Sequence, residues 1–239
     1  LGRPNLDVRT SAHTTRILFE GKRAIGVEYV RGGETTRVRA RREVVMSSGA
    51  FGSPQILMAS GVGPGRDLQR LGIDVVHDVR GVGQNLQDHI SALLVYRSPG
   101  NYDTVGISPV GIAKVLRGIW EWRTKRTGLV TSCLAESGVY YRTDPSVEVA
   151  DMEMELLIGI ADDHGRKNHV GHGYSAHLLL ARPKSLGEVR LRTPDTRDAP
   201  LIDPRYFSDP YDMPTLVKGT QLALDIMNDR AFDPYRGEM

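Results

Sequence analysis

A fifteen-residue run rich in small residues, positions 49–63, constrains the fold more than any other segment of the chain. It reads Gly-Ala-Phe-Gly-Ser-Pro-Gln-Ile-Leu-Met-Ala-Ser-Gly-Val-Gly and follows the apolar segment 43–48, which predicts a strand. Ser53 and Pro54 predict a helix start, with serine as N-cap and proline at the first helical position, and Gly61 suits the end of that helix. A strand that enters a helix through glycine and alanine lets the backbone approach a large flat ligand, because no side chain intervenes.

Composition and charge favour a globular chain of an ordinary kind. The 239 residues are 40% hydrophobic, which is enough for one large domain or two smaller ones. A formal net charge of +2 gives no indication of nucleic acid or an anionic membrane as partner. No apolar stretch approaches the roughly 18 residues of a membrane-spanning helix, so we expect no transmembrane segment. The single cysteine, Cys133, excludes an internal disulfide framework; we expect it to be buried, in a protein of a reducing, cytoplasmic compartment.

The hydrophobic pattern predicts a mixed α/β or α+β fold. An antiparallel meander is expected over residues 14–48, and a short helix over 64–72 with a strand at 75–76 after it. Further antiparallel strands are predicted near 92–97, 151–158, 174–182 and 187–192. One later helix is expected to start at Ser108-Pro109, with Ile112, Leu116, Ile119 and Trp120 on one face. Another starts near Asp212, and its inner stripe is predicted to be Leu216, Ala223, Ile226 and Met227.

The run 49–63 closely resembles the second signature of the glucose–methanol–choline (GMC) flavoprotein oxidoreductases. Other segments are similar to that family in the same order, and they are residues 3–10, 15–19, 61–64, 71–76, 81–89, 203–207 and 231–237. The last two resemble the branch that contains choline dehydrogenases and related alcohol dehydrogenases. The similarity is dense over 1–90 and 185–237, and thin between about 98 and 170.

This resemblance implies a division of the chain into three parts. Residues 1–90 would be part of a Rossmann-like FAD-binding domain, and residues 91–205 a substrate-binding domain with a mainly antiparallel sheet flanked by helices. Residues 206–239 would form a helix that leads back to a C-terminal catalytic part. The Gly-x-Gly-x-x-Gly turn and the His-Pro segment of the family are not found in the sequence. We therefore expect an internal fragment of a longer enzyme, with no catalytic residue of its own; membrane association of that longer protein stays open.

The family chemistry implied by the resemblance is the oxidation of an alcohol, in which hydride passes from carbon to flavin N5. The expected FAD contacts are Thr14, Ser48, Gly49 and Ala50, all through backbone atoms and small size. The expected substrate is a primary alcohol, either choline-like or neutral. The electron acceptor, oxygen or a quinone-like carrier, is left open.

Two further positions are implied to line the substrate pocket. Ser91 stands where choline-oxidising relatives carry a glutamate that meets the trimethylammonium group, so a neutral alcohol is favoured over choline. Glu155 stands about where relatives often carry a histidine. Alternation along 151–156 places Glu155 on the face opposite Met152 and Met154, and an exposed strand carboxylate without function is an equal alternative.

Other patterns allow competing interpretations. The segment 81–86 (Gly-Val-Gly-Gln-Asn-Leu) is half of a dinucleotide fingerprint, or else a turn between domains. The loop histidines His164, His169 and His172 could bind a metal, although a solvated loop is favoured and no metal site is assigned. A nicotinamide-dependent dehydrogenase would need a complete phosphate-binding turn, which is not present. A non-catalytic binding or structural module remains the alternative to an enzyme.

Overall fold

The computed structural model describes residues 2–98, 100, 103–163, 166–167 and 169–239. The chain forms two compact units. The first unit comprises residues 1–87 and 185–206, and the second comprises residues 88–184 and 207–239. Both contain antiparallel sheets and helices, which confirms the mixed α/β class.

Ten of the helices and strands in the described part of the chain belong to the first unit. They are β1 (His13–Glu20), β2 (Arg23–Arg31), β3 (Glu34–Arg39), α1 (Gly49–Ala59), β4 (Val62–Gly63), α2 (Gly65–Arg70), β5 (His77–Asp78), β6 (Gln84–Leu86), β12 (Gly187–Arg190) and β13 (Leu201–Asp203), the last two being supplied by the later segment. The second unit contains β7 (Ile90–Arg97), β8 (Gly106–Ile107), α3 (Pro109–Lys125), β9 (Ala135–Tyr141), β10 (Met152–Leu157), β11 (Gly171–Leu180) and α4 (Asp212–Met227).

The predicted meander is present as a three-stranded antiparallel sheet in the order β1-β2-β3. Its second hairpin turns through Gly32 and Gly33, which have φ of 58° and 86°. Two successive positive φ angles suit the right-handed twist of the flanking strands, and glycine adopts them without steric cost. The strand predicted over 43–48 is wrong, because these residues pair with no other described strand and Val45 is 77% exposed.

Helix α1 begins one turn earlier than the sequence predicts. Its first residue is Gly49, so Ser48 is the N-cap and Pro54 lies inside the helix. The positive φ of Gly49, 76°, turns the chain into the helix at that point. Since proline has no N–H, the carbonyl of Ala50 lacks its usual intrahelical donor. Gly61 ends the segment with φ of 85°, as expected for a glycine after a helix.

Strand β12 lies in a segment, residues 185–206, that belongs to the first unit, whereas the resemblance implies a substrate domain that extends to residue 205. Gly187 and Glu188 pair with Leu86 and Gln84 of β6, and β13 pairs on the other side of β12. The segment 81–86 accordingly forms a turn followed by a strand and opens no helix, so it does not have the geometry of a dinucleotide fingerprint. The predicted strand at 75–76 is β5, displaced to His77–Asp78.

The second unit is organised by an antiparallel sheet in the order β7-β11-β10-β9. Helix α4 packs on one face of it, and the core between them contains Met152, Met154, Ala176, Leu178, Leu180, Leu216, Ala223 and Met227. The predicted inner stripe of α4 is correct except for Ile226, which is 42% exposed. Cys133, expected to be buried, is exposed. No helix in the described part of the chain has both the length and the hydrophobicity needed to cross a membrane.

Candidate functional site

The residues predicted to contact FAD lie in the first unit, and Thr14 is linked to α1 through one loop. Thr196 donates from Oγ1 to the carbonyl of Thr14 at 3.4 Å and lies 3.0 Å from His13 Nε2. Gln55 of α1 donates to the carbonyl of Thr196 at 3.2 Å. The edge of the sheet at Thr14 is therefore tied to α1, whose first turn contains the other predicted contacts.

The first turn of α1 presents its backbone to solvent. Ser48, Gly49 and Ala50 are all exposed. The Ser48 side chain makes no capping hydrogen bond, and the first turn contains no acidic residue. The first N–H groups of a helix have no intrahelical partner and carry partial positive charge. A Cβ built on Gly49 would meet nothing within 4 Å, so the approach to these donors is open.

A buried carboxylate lies next to Thr14 in the same sheet. The pairing register of β1 with β2 changes between Thr14 and Arg16, which gives β1 a bulge at Thr15. The hydroxyl of Thr15 donates to Glu28 Oε1 at 3.1 Å. Arg16 and Arg37 each pair with Glu28 at 2.9 Å. The hydrogen bond from Arg16 lowers the pKa of Glu28 to about 2, with help from Arg37 and against the effect of burial. At neutral pH Glu28 is therefore an anion whose charge is compensated by two arginines, and its bond from Thr15 stabilises the bulge.

This carboxylate also forms part of the wall of a polar cavity of about 550 Å³. The wall includes Thr15, Arg16, Ser60, Asp74 and Thr196. Ser60 in turn accepts from the backbone N–H of Ile17 at 2.8 Å, which joins the end of α1 to β1. The cavity therefore lies between the same two elements that hold the predicted FAD contacts.

In the second unit, Ser91 and Glu155 lie on the sheet face opposite α4. Ser91 of β7 pairs with Leu179 of β11, and Leu179 pairs with Glu153 of β10, so these three residues are on one face. Glu155 is two residues further along β10 and is therefore on the same face. Standard strand spacing puts the Cα atoms of Ser91 and Glu155 roughly 12 Å apart. Met152 and Met154 occupy the other face, within the core, as the alternation predicts. The structure therefore places both predicted substrate residues on one surface.

His177 belongs to the same surface and was not singled out from the sequence. It lies directly across from Glu155 on β10 and from Leu93 on β7. It is half-buried, and its Nε2 lies 3.4 Å from the carbonyl oxygen of Ala161. The available signal was the alternation of β11, in which the even-numbered residues from Tyr174 to Leu180 are apolar and the histidine falls on the other face. Because single histidines are common on strands, this alternation alone does not mark His177 as a functional residue.

An apolar cavity of about 420 Å³ continues from this surface, and Ala161 is part of its wall. Its apolar lining comes from β8, α3, the end of β10 and the loop that follows it, and includes Ile107, Ile112, Leu116, Leu157 and Ile160. A carboxylate, an imidazole and an apolar cavity side by side provide both proton-handling groups and a site for a hydrocarbon group.

The loop histidines have separate partners. His169 Nε2 lies 2.9 Å from Asp162 Oδ2, an interaction that lowers the pKa of Asp162. His172 is buried between the Ser108 hydroxyl, 2.7 Å from Nε2, and the carbonyl of Thr104, 2.8 Å from Nδ1. His164 lies outside the described residues. In the part of the chain that the structure describes, no three His, Cys, Asp or Glu residues are grouped so as to hold a metal ion.

Comparison with known families and structures identifies the family of the chain. Two family models described as GMC oxidoreductase match the chain, the N-terminal one over residues 1–91 and the C-terminal one over residues 183–238. The chain belongs to the GMC oxidoreductase family. The gap between the matches falls on the segment where the sequence similarity is thin.

Named relatives agree with that assignment. The chain is 38% identical over 230 residues to an alcohol dehydrogenase [acceptor] of Pseudomonas putida, which covers 95% of this chain and 42% of the relative. It is 37% identical over 238 residues to the mitochondrial choline dehydrogenase of Homo sapiens, which covers 100% of this chain and 40% of the relative. The chain therefore spans about 40% of the length of these curated relatives.

A solved structure shows the same fold. A formate oxidase variant of Aspergillus oryzae RIB40, studied for its FAD modification, superposes with a TM-score of 0.88 at 25% identity, covering 99% of this chain and 46% of that one. This likeness confirms the mixed α/β fold class over nearly the whole chain.

Proposed function

We propose that this chain is part of an FAD-dependent oxidoreductase that oxidises the CH–OH group of a primary alcohol. The observation that carries the proposal is the match of residues 1–91 to the GMC oxidoreductase family. This segment contains Thr14, Ser48, Gly49, Ala50 and Ser91. The names of the relatives, an alcohol dehydrogenase and a choline dehydrogenase, support the same class of substrate.

The first turn of α1 has properties that fit FAD. Its uncapped N–H groups, the absence of an acidic side chain there and the open space at Gly49 all favour an electron-rich ligand group. Ser48, Gly49 and Ala50 would hold FAD through backbone donors, and Thr14 would contact it through its own backbone on the adjoining strand. Bound FAD would take up the hydride that leaves the alcohol carbon.

The sheet surface of the second unit would orient the alcohol. Glu155 and His177 lie across from each other on this surface, and they can orient the alcohol hydroxyl by hydrogen bonds while the apolar cavity takes the rest of the molecule. Ser91 supplies a neutral hydroxyl where a carboxylate would attract a quaternary ammonium group. We expect the cytoplasm as the cellular location, and oxygen or a quinone-like carrier as the electron acceptor.

The test is spectroscopic and uses the complete protein that contains this chain. We expect the purified protein to carry the visible absorption of oxidised flavin, and this absorption should bleach when a primary alcohol is added without oxygen. A flavin-free protein, or one whose flavin is indifferent to alcohols and to choline, would favour the non-catalytic module instead. Substitution of Ser91 and Glu155 then separates substrate effects from cofactor effects.

A further inference from the structure

The apolar cavity of the second unit is suited to an uncharged hydrocarbon group. Its volume of about 420 Å³ is within the range of small-molecule sites. Among the described residues of its wall, only His169 has a polar side chain, none is acidic, and none is phenylalanine, tyrosine or tryptophan. A trimethylammonium group needs an aromatic face or a negative charge. The wall therefore favours a neutral, apolar group over a quaternary ammonium group.

Four of the described residues in this wall are glycines, and for three of them the backbone requires glycine. A Cβ on Gly106 would lie 2.1 Å from the carbonyl oxygen of Gly171, and one on Gly111 would lie 1.9 Å from that of Gly106. Gly171 itself has a φ of 105°, which residues with a side chain rarely adopt. These three glycines therefore serve the close approach of β8, β11 and α3 and the direction of the chain.

The fourth glycine, Gly159, is under no such requirement from the described chain. Its φ is not positive. A Cβ built on it would lie 3.5 Å from the carbonyl oxygen of Val105 and 3.7 Å from Val105 Cβ, which are ordinary van der Waals distances. Val105 also lines the cavity, so a side chain at residue 159 would occupy space beside it. The absence of a side chain at Gly159 keeps the cavity at its full volume.

The helix side of the cavity is held in place by a chain of hydrogen bonds. Gly111, in the first turn of α3, donates from its N–H to Ser108 Oγ at 2.9 Å. Ser108 Oγ lies 2.7 Å from Nε2 of the buried His172, and His172 Nδ1 lies 2.8 Å from the carbonyl oxygen of Thr104. Because a carbonyl oxygen only accepts, Nδ1 carries the proton and Nε2 accepts from the Ser108 hydroxyl. This wall is thus preformed, and a preformed wall discriminates between hydrocarbon groups by size.

We propose that Gly159 determines the size of the hydrocarbon group that the enzyme accepts on its alcohol substrate. The substrate class is a neutral primary alcohol whose hydrocarbon chain fills the apolar cavity, as opposed to choline or a small alcohol such as ethanol. This inference rests on the proposed oxidoreductase function and adds to it a substrate class and a specificity-determining residue. Each CH₂ group that enters the cavity should raise kcat/KM about fourfold, until the cavity is full.

The test measures kcat/KM of the complete enzyme for the straight-chain primary alcohols from butanol to decanol. We expect kcat/KM to rise with chain length to a maximum and then to fall. Gly159→Ala and Gly159→Val should move this maximum to shorter alcohols. Gly159→Val should also lower kcat/KM for the alcohol at the original maximum by about tenfold or more, while the value for butanol should change less than about twofold.

Two further variants make the test specific to the cavity. Gly81→Ala is the matched control, because a Cβ on Gly81 meets no atom within 4 Å and the φ of Gly81 is not positive. It should leave the maximum where it is. Ile112→Ala removes an exposed side chain from the opposite wall, on α3, and should move the maximum to longer alcohols. If Gly159→Val does not fold, Gly159→Ala and Ile112→Ala decide, since they are expected to act in opposite directions.

Failure of this inference is distinguishable from failure of the proposed function. If no alcohol bleaches the flavin, the proposed function is wrong and the inference falls with it. If alcohols bleach the flavin but kcat/KM does not depend on chain length, the cavity does not hold the substrate and the inference alone is overturned. The same conclusion follows if the Gly159 variants keep the maximum of the unsubstituted enzyme, or if Gly81→Ala moves it equally.

Discussion

Gln55, buried in α1, donates from one side-chain nitrogen to two carbonyl oxygens, those of Thr196 at 3.2 Å and Asp198 at 2.8 Å. The loop that receives these bonds belongs to the segment 185–206, more than a hundred residues later in the chain. Thr196 then reaches Thr14 of β1. One glutamine thus connects three separate stretches of sequence at the predicted cofactor site.

Replacing Gln55 by leucine should destabilise the first unit. The carbonyl of the buried Thr196 would lose its donor, which costs on the order of 1–3 kcal/mol for a buried group left unsatisfied. Asp198 is exposed, so its carbonyl can bond to water instead. Chemical denaturation of the purified protein measures this loss. Gln69→Leu on α2, at an exposed position, is the control and should change stability by less than about 0.5 kcal/mol. Equal stability of the two variants would show that the bonds of Gln55 contribute nothing.

Gly49→Ala should weaken FAD binding beyond its effect on stability. Gly49 and Gly72 have nearly equal φ angles, 76° and 72°, and a Cβ at either would meet no atom within 4 Å. Both alanine variants should therefore lose about 1–2 kcal/mol of folding free energy through left-handed strain. If Gly49 contacts FAD, only its variant should also raise the dissociation constant of FAD, by about tenfold. Titration of both variants with FAD measures the two dissociation constants. Similar values would show that Gly49 does not contact FAD.

The Glu28 cluster should make stability depend on acid. The pKa of Glu28 is lowered to about 2 in the folded protein, chiefly by Arg16, against an ordinary value of 4.5. A depressed carboxyl pKa gives stability that is fully present above the unfolded pKa and is lost as pH falls from about 4.5 toward about 2. Glu28→Gln should therefore lower the melting temperature at neutral pH, and the difference from the unsubstituted protein should shrink in that window. Glu20→Gln is the control, because Glu20 forms an exposed pair with Arg39, and its melting temperature should change little. A loss of melting temperature in Glu28→Gln that does not depend on pH would contradict the electrostatic explanation.

Ser91 should limit the use of choline by the complete enzyme. A neutral hydroxyl cannot supply the charge contact that a carboxylate gives to a trimethylammonium group, a contact worth about 2–3 kcal/mol, or roughly 30- to 150-fold. Ser91→Glu should raise kcat/KM for choline relative to an uncharged alcohol of similar bulk. Ser137→Glu is the matched control, since Ser137 pairs with Leu156 and so lies on the α4 side of the same sheet. The prediction fails if the unsubstituted enzyme prefers choline and neither variant changes that preference.

The elements predicted well are those whose pattern depends on near neighbours. The β1–β3 meander follows from alternation and from Gly32 and Gly33 in the turn, and α3 starts at the predicted Ser108, whose Oγ accepts from the N–H of Gly111 at 2.9 Å. Register also places Ser91 and Glu155 on one surface, as alternation can indicate once the strand order is known. Their roles at a substrate site remain predictions.

Features decided by distant parts of the chain, and one decided by a turn close by, could not be predicted. The sequence around Pro54 is a good helix start, but Gly49 already turns the chain, so that the helix begins a turn earlier. The pairing of β12 with β6 cannot be read from either strand alone. His177 became a candidate only when Glu155 was found across from it. Periodicity correctly located the apolar stripe of α3. It does not indicate that the stripe is exposed, or that the buried residues of the helix are Gly111 and Gly118.

The pairing of β6 with β12 also sets an order of events during synthesis. Leu86 leaves the ribosome roughly a hundred residues before Gly187, its partner in the sheet. All strands of the β7–β11 sheet are made in that interval, so this sheet can form while the first unit still has an open edge at β6. A nascent chain stalled between residues 86 and 187 would expose that edge to other chains, so this interval of translation carries a risk of aggregation.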